Sequence, residues 1–332
     1  MSSIPVEMPE NQPPAITLII PNFNGANLLR MNLPSVIKAA DEYRCGCRVI
    51  VVDDASVDDS IRVLETEFPR VDIIRHERNR GFADAIQSGV DAADTECLIF
   101  LNSDVRPDVD FILPLVEDLQ SPDVFSVTPL VVDGNEQPTE ESWRCYRIHR
   151  GRLRLIKLAG RVPTKPVATL FASGGSMAVR KSRFNELGGF LPLFKPFYSE
   201  DSDLGIRAWR RGWRSLFEPR CRIVHDHAGS SINTQVPSAR VRRIRRRNQF
   251  LLEWIHVPGN DLWLSLAPRY LMQALVRMLR LDFSYFGGLL GALVRIPRVL
   301  AIRTDMQRTR VIEFWEVMNI IERSLAEEMA AD

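Results

Sequence analysis

ECLIFLNSD, residues 96–104, carries an uninterrupted apolar run that breaks into a short polar turn and ends on the carboxylate of Asp104. Continuous Leu, Ile and Phe without polar alternation is the pattern of a strand buried on both faces, as in a parallel sheet covered by helices. In such sheets ligands gather at the carboxyl ends of the strands. Asp104 therefore stands where chemistry is expected, and its oxygens suit a hard divalent cation held against a phosphate. A polar residue closing a strand also serves as a plain turn former or helix cap, so the surrounding segments have to decide.

Outward from this stretch, short apolar runs alternate with helical ones from residue 15. AITLIIP precedes a helix over 26–40, CRVIVVDD a helix opening at Ser60, and VDIIRH a helix opening near Phe82; CLIFLNSD, a helix near Val109 and the strand VFSVTPL follow. This alternation predicts an α/β fold, a Rossmann-like, mostly parallel sheet with flanking helices of the nucleotide-binding type. Neither a GxGxxG nor a Walker lysine motif occurs, which removes support for dinucleotide or ordinary ATP binding. Residues 133–166 interrupt the pattern with Trp143, Tyr146 and several arginines but little periodicity, and read as a loop-rich flap over a site. The pattern resumes at TLFASGGSMAVRKSRFNELGGF, where Gly174 and Gly175 permit close approach of the backbone to a ligand, or simply a tight turn.

The 332 residues suffice for a large core, in one domain with an appendage or in two. Charge is nearly balanced at +1, yet arginine is concentrated between Arg240 and Arg247 and recurs to Arg310. No nucleic-acid partner is expected. The cysteines, Cys45, Cys47, Cys97, Cys145 and Cys221, are sparse and odd in number, so they read as thiols of a reduced, cytoplasmic setting rather than a disulfide framework. Cys45 and Cys47 are too close for a usual zinc pair. MSSIPVEMPENQPP, residues 1–14, is polar and proline-rich, without the basic and apolar regions of a secretory signal, and reads as a disordered lead-in.

After Ser238 apolar residues and arginines interleave over long helical stretches. The best arginine-free window, residues 281–294, is shorter than the roughly 20 apolar residues of a membrane span and includes Asp282. Helices lying in a membrane interface, with arginines snorkelling to the surface, are the favoured expectation. An ordinary helical subdomain packed on the sheet is the alternative.

Three further segments carry polar groups to the expected cleft. The first strand ends in Pro21, Asn22, Phe23, Asn24 and Gly25, and the second in Asp53 and Asp54 followed by ASVDDS. Two such tips can grip a nucleoside, a carboxylate accepting hydrogen bonds from base or ribose. NRGFADAIQSGV, with Gly81 and Phe82, runs from a glycine loop into a helix that can face the same cleft.

The ordered set PNFNG, VVDDASVDDS, NRGFADAIQSG, LNSD, ASGGSMAVRKSRFNELGGF, FYSEDSDLGIRAWRRGW and VHDHAGSS resembles the family 2 glycosyltransferases of GT-A fold. Within them it is most similar to rhamnosyltransferase-like members that build cell-surface polysaccharides. The resemblance spans residues 15–255 and implies a nucleotide-binding half (15–132), a variable flap (133–166) and an acceptor half (167–255), with a helical extension over 256–332. It implies donor contacts at Pro21, Asn22, Phe23, Asn24, Asp53, Asp54, Gly81, Phe82, Asn102 and Ser103, and acceptor contacts at Gly174, Gly175 and Asp203. LNSD matches the DxD position, with Asn102 in place of the first acid and Asp104 as ligand to Mg or Mn. His225 or His227 supplies a further metal or pyrophosphate contact, with His227 preferred.

FYSEDSD supplies the other half of the chemistry. A sugar hydroxyl is a poor nucleophile, so a carboxylate must take its proton as it attacks. The resemblance makes Asp201, beside Glu200, that base; a bland role at a helix amino terminus is the alternative. The implied reaction is inverting, metal-assisted transfer from a nucleotide-diphosphate sugar to a hydroxyl of a glycan or polyprenyl-linked acceptor, at the cytoplasmic face of an anionic membrane. A sugar-1-phosphate nucleotidyltransferase and a noncatalytic membrane-associated sugar-binding protein are the competing readings.

Overall fold

The computed structural model describes residues 13–149, 153–158, 161–225 and 237–330. All but the last two residues of the expected lead-in, and His227, lie outside them. Among the described residues nine strands form one mixed sheet. Its strands are β1 (Ile16–Asn22), β2 (Cys47–Asp53), β3 (Asp72–Arg75), β4 (Cys97–Leu101), β5 (Val105–Pro107), β6 (Val124–Val132), β9 (Val167–Thr169), β10 (Ser176–Arg180) and β11 (Arg214–His225). They run in the order β3-β2-β1-β4-β10-β6-β11-β5, and β9 also pairs with β11. The amino-terminal half, β3-β2-β1-β4, is parallel, and β10 enters antiparallel between β4 and β6.

All five residues of β4 are buried, as its unbroken apolar run predicts. Helices α1 (Ala26–Glu42), α2 (Ser60–Glu67) and α4 (Ile112–Leu119) cover one face through Leu29, Leu33, Val63 and Leu115. The other face is closed by α3 (Phe82–Ala92) through Ile86 and Val90, by Phe184 of α5 (Lys181–Glu186), and by Leu204 and Ala208 of α6 (Glu200–Arg210). Fully burying side chains of this size contributes about 1.5–3 kcal/mol each.

Residues 133–166 depart from the expected loop-rich flap. They contain the antiparallel hairpin β7 (Arg144–Ile148) and β8 (Leu153–Lys157). Trp143, Cys145, Tyr146 and Leu153 are buried, while the arginines between them mask the alternation that marks a strand. This hairpin seeds a second core. Ile206 and Trp209 of α6, Phe250, Leu251 and Ile255 of α7 (Ser238–His256), and Phe314, Val317 and Ile321 of the terminal helix Phe314–Ala330 all pack into it.

At the heart of the join lies a buried ionic cluster. Asp203 accepts hydrogen bonds from Arg207 Nε at 2.8 Å and from His256 Nε2 at 2.9 Å, and Arg207 also donates to the carbonyls of Leu187 and Gly189. Burial would raise the Asp203 pKa, but Arg207 and His256 outweigh it and hold the carboxyl below its usual range. Asp203, expected on the acceptor side, is thus turned inward from the cleft and ties α6 to α7.

Arg207→Ala would leave that carboxylate buried without its cation. It is expected to lower stability by about 3–5 kcal/mol, read as a fall in the urea midpoint with an unchanged slope. A change within about 0.5 kcal/mol, as at an ordinary surface site, would contradict the structural role.

Candidate active site

The carboxyl ends of β1, β2 and β4 open into a cleft of about 530 Å³. Pro21, Asn22, Phe23, Asp54, Gly81, Phe82, Asn102, Ser103, Asp104, Gly174, Gly175, Glu200 and Asp201, all expected from sequence, line it. Asn24 and Asp53 do not. Asp53 accepts from Asn22 Nδ2 at 2.9 Å and from Ser56 N and Oγ at 3.0 and 2.6 Å, so its oxygens are committed to joining two loops. Asn24 is latched to the same loop, accepting from Val57 N at 2.8 Å. Both shape this end of the cleft from behind.

Asp54 reaches the cleft but is also heavily used. It accepts from His76 Nδ1 at 2.7 Å and from the backbone N–H groups of Arg80 and Gly81 at 2.8 and 2.7 Å. A carboxylate has about four acceptor positions, which leaves about one for a ligand. Gly81, at φ +87°, makes the turn that brings both N–H groups to Asp54. A Cβ on Gly175 would sit 2.5 Å from Asn102 Nδ2, so the close approach there is to Asn102 itself.

At the far end of β4 the sheet register assembles a second pair. β5 runs antiparallel to β11 with Val105 opposite His225, which sets Asp104 beside the imidazole. His225 Nε2 lies 3.3 Å from Asp104 Oδ1, an otherwise unpaired buried oxygen, and Nδ1 is 2.9 Å from Glu141 Oε2. Burial disfavours a charged imidazole, but the flanking Asp104 and Glu141 carboxylates outweigh it and push the His225 pKa up to about 10. Among the described residues no group of three or more His, Cys, Asp or Glu is placed to hold a metal ion. A cation here would have Asp104 and, once its Nε2 proton is displaced, His225 as protein ligands, with water and phosphate supplying the rest.

Glu200 and Asp201 open α6 and share the cleft with Asp104. Burial, then the charge of Asp201, pushes the Glu200 pKa up to about 8. Asp201 is raised by burial and pulled back by Arg144, whose Nη1 lies 3.6 Å from Asp201 Oδ2. Arg144 itself is fixed by Glu140 O and by the Phe171 ring. The turn before α6 is unusual, with Tyr198 and Ser199 at φ +75° and +74°. Two such residues cost on the order of 1–3 kcal/mol each, and buried Asn248 offsets this by donating to the carbonyls of Phe194, Phe197 and Tyr198 at 2.7–2.9 Å.

Sequence reading missed Arg144, Glu141, His76 and Asn248. Each acts from a distant segment on a neighbour's charge or backbone, and no local pattern announces that.

Cleft and sheet together define a GT-A architecture, and comparisons agree. Two solved structures share the fold. GalNAc-T7 with UDP, GalNAc and Mn2+ has a TM-score of 0.59 at 20% identity, over 75% of this chain and 49% of that one. A mannosyltransferase from Pyrobaculum calidifontis in complex with GDP-Man and Mn2+ has 0.52 at 17%, over 97% and 88%. The chain belongs to glycosyl transferase family 2, whose model matches residues 17–188, just over half its length. It is 29% identical to a pre-mycofactocin glycosyltransferase of Mycobacterium tuberculosis, over 64% of this chain and 43% of the relative. It is 25% identical to polypeptide N-acetylgalactosaminyltransferase 16 of Mus musculus, over 64% and 40%. The chain thus spans less than half the length of these curated relatives.

Arg144→Gln removes the charge that pulls the Asp201 pKa down, so the Asp201 midpoint is expected to move further above the ordinary aspartate value of about 3.9. Carbon-13 titration of labelled aspartate in wild type and variant reads this directly. An unchanged or lower midpoint would show that Arg144 does not act on Asp201.

Proposed function

We propose that the protein is an inverting, metal-assisted glycosyltransferase acting from a nucleotide-diphosphate sugar on a hydroxyl acceptor, with Asp201 as general base. The observation that carries this reading is the meeting in one cleft of two carboxylates, Asp201 supported by Arg144 and Asp104 backed by His225. Asp201 takes the proton of the acceptor hydroxyl as that oxygen attacks the anomeric carbon. The bond from that carbon to the diphosphate oxygen breaks on the opposite face, so the anomeric configuration inverts and no sugar–enzyme bond forms. Burial and the neighbouring Asp201 push the Glu200 pKa up to about 8, while Arg144 supports the charged form of Asp201 against the burial that raises it.

Asp104 and His225 would hold Mg or Mn, which offsets charge on the leaving diphosphate when bound. Asn22, Phe23, Asp54 and Gly81 bound the nucleoside side, and Gly174 and Gly175 the acceptor side. The finer likeness to rhamnosyltransferase-type enzymes belongs to the same proposal, and a panel of nucleotide sugars screened by thermal stabilisation tests it.

Asp201→Asn is expected to cut transfer by about 10²-fold or more, the usual worth of general-base catalysis, while nucleotide binding persists. Unchanged turnover would remove Asp201 from the mechanism. Asp104→Ala should abolish the Mn-dependent part of nucleoside diphosphate affinity in calorimetry. An affinity gain from Mn equal to that of the wild type would reject the cation station.

The reading extends to a peripheral place on an anionic membrane. No single helix among the described residues is long and apolar enough to cross one, and the pair Phe283–Leu293 and Ile296–Thr309, which together would be, is bent by 57°. The helix Ala267–Leu279 buries no residue fully, and Trp263, Leu271, Leu275 and Leu279 stand 60–83% exposed. An apolar surface of that kind with arginines beside it suits an interfacial position. Leu275→Glu with Leu279→Glu should release the protein from phosphatidylglycerol vesicles in flotation; undiminished flotation would place the contact elsewhere.

A further inference from the structure

Beside the catalytic cleft lies a second cavity, of about 280 Å³, walled by Arg240, Arg243 and Arg247 of α7 and by Gly287, Gly291 and Arg295. Pro196 and Arg240 line both spaces, so the two are contiguous. Among the described residues no carboxylate lines this cavity. Asp282, the nearby acid on the same helical pair, is taken by Arg246 and Arg277. Among the described residues the guanidinium groups of Arg240 and Arg243 make no hydrogen bond or ion pair, that of Arg295 donates only to Gly291 O, and that of Arg247 only to Asn248 Oδ1 and the carbonyls of Phe194 and Lys195.

Four guanidinium groups facing one space without a counter-charge repel one another. Burial, then Arg295 and Arg243, lowers the Arg247 pKa to about 10. The packing nonetheless preserves the arrangement. A Cβ on Gly287 would sit 2.9 Å from Arg243 Cδ, and one on Gly291 3.2 Å from Arg247 Cδ, so the glycines make room for the arginine stems. Guanidinium groups bind phosphate oxygens in paired, charge-assisted hydrogen bonds. The helix that supplies the glycines, Phe283–Leu293, leaves Phe283, Leu290 and Leu293 exposed, at 80, 63 and 44%.

We infer that this arginine cavity binds the diphosphate of a prenyl-diphosphate-linked acceptor, with the prenyl chain over the apolar residues of the adjoining helix and the attached sugar directed into the cleft. The inference rests on the glycosyltransferase reading and names its acceptor class. The donor diphosphate is assigned to the Asp104 part of the cleft, whereas the arginine cavity joins that cleft at Pro196 and Arg240 and does not include Asp104.

The test is calorimetric binding of farnesyl diphosphate to the full chain in EDTA, with farnesol, inorganic pyrophosphate and phosphatidylglycerol vesicles as parallel probes, in wild type and in Arg243→Gln with Arg295→Gln. Farnesyl diphosphate is expected to bind the wild type, to bind the variant at least about tenfold more weakly, and to exceed both farnesol and pyrophosphate. UDP and GDP with Mn are the control for donor binding and for folding. Affinity that survives the double substitution, or that appears only with Mn, overturns the inference. So does an arginine-dependent attachment to vesicles with no binding of farnesyl diphosphate, which would make the cluster a membrane contact only. If farnesyl diphosphate binds as expected while neither UDP nor GDP binds with Mn, the site stands and the donor reading falls.

Discussion

Two adjacent, partly buried carboxylates at the start of α6 are the constraint on which the rest of the molecule turns. Removing one ionised carboxylate from solvent is unfavourable, and a second beside it more so. The fold answers in two ways. Glu200 is driven toward its neutral form, and Arg144 is brought from the β7–β8 hairpin to support the charge on Asp201. That hairpin is stable only because Trp143, Cys145 and Tyr146 are roofed by α7 and the terminal helix. The second core thus holds in place the hairpin that carries Arg144. Asn248 and the buried cluster of Asp203, Arg207 and His256 fix the ends of the same helix.

The opposite end of the site depends on strand register rather than on burial of charge. Asp104 lies in the short turn between β4 and β5, but its partner His225 arrives 121 residues later in the chain, and β5 paired with β11 aligns them. A slip of one residue in that pairing would turn His225 to the other face of the sheet.

Much of the fold was legible because its signals are local. The apolar run of residues 97–101 reads as a buried strand, the alternation from residue 15 as a parallel layer, and the acidic start of α6 as a helix opening into a site. Most residues taken from the motifs do line the cleft. What was not legible depends on contacts between distant segments. Asp53 and Asp203 look like ligand residues because they are acids beside motif acids, yet their oxygens are occupied by Asn22 and Ser56, and by Arg207 and His256. The hairpin at 144–157 was hidden because its buried aromatics alternate with arginines whose partners lie elsewhere, Glu322 for Arg147 among them.

A base at Asp201 acting across from a leaving diphosphate commits the reaction to a single displacement. The most direct test is the anomeric configuration of the newly formed product, followed by proton NMR from the first minutes of reaction with whichever nucleotide sugar supports turnover. Inversion relative to the donor is the predicted result. Retention of configuration would contradict the account, because it requires a second displacement or a different face of attack that Asp201 as general base does not provide.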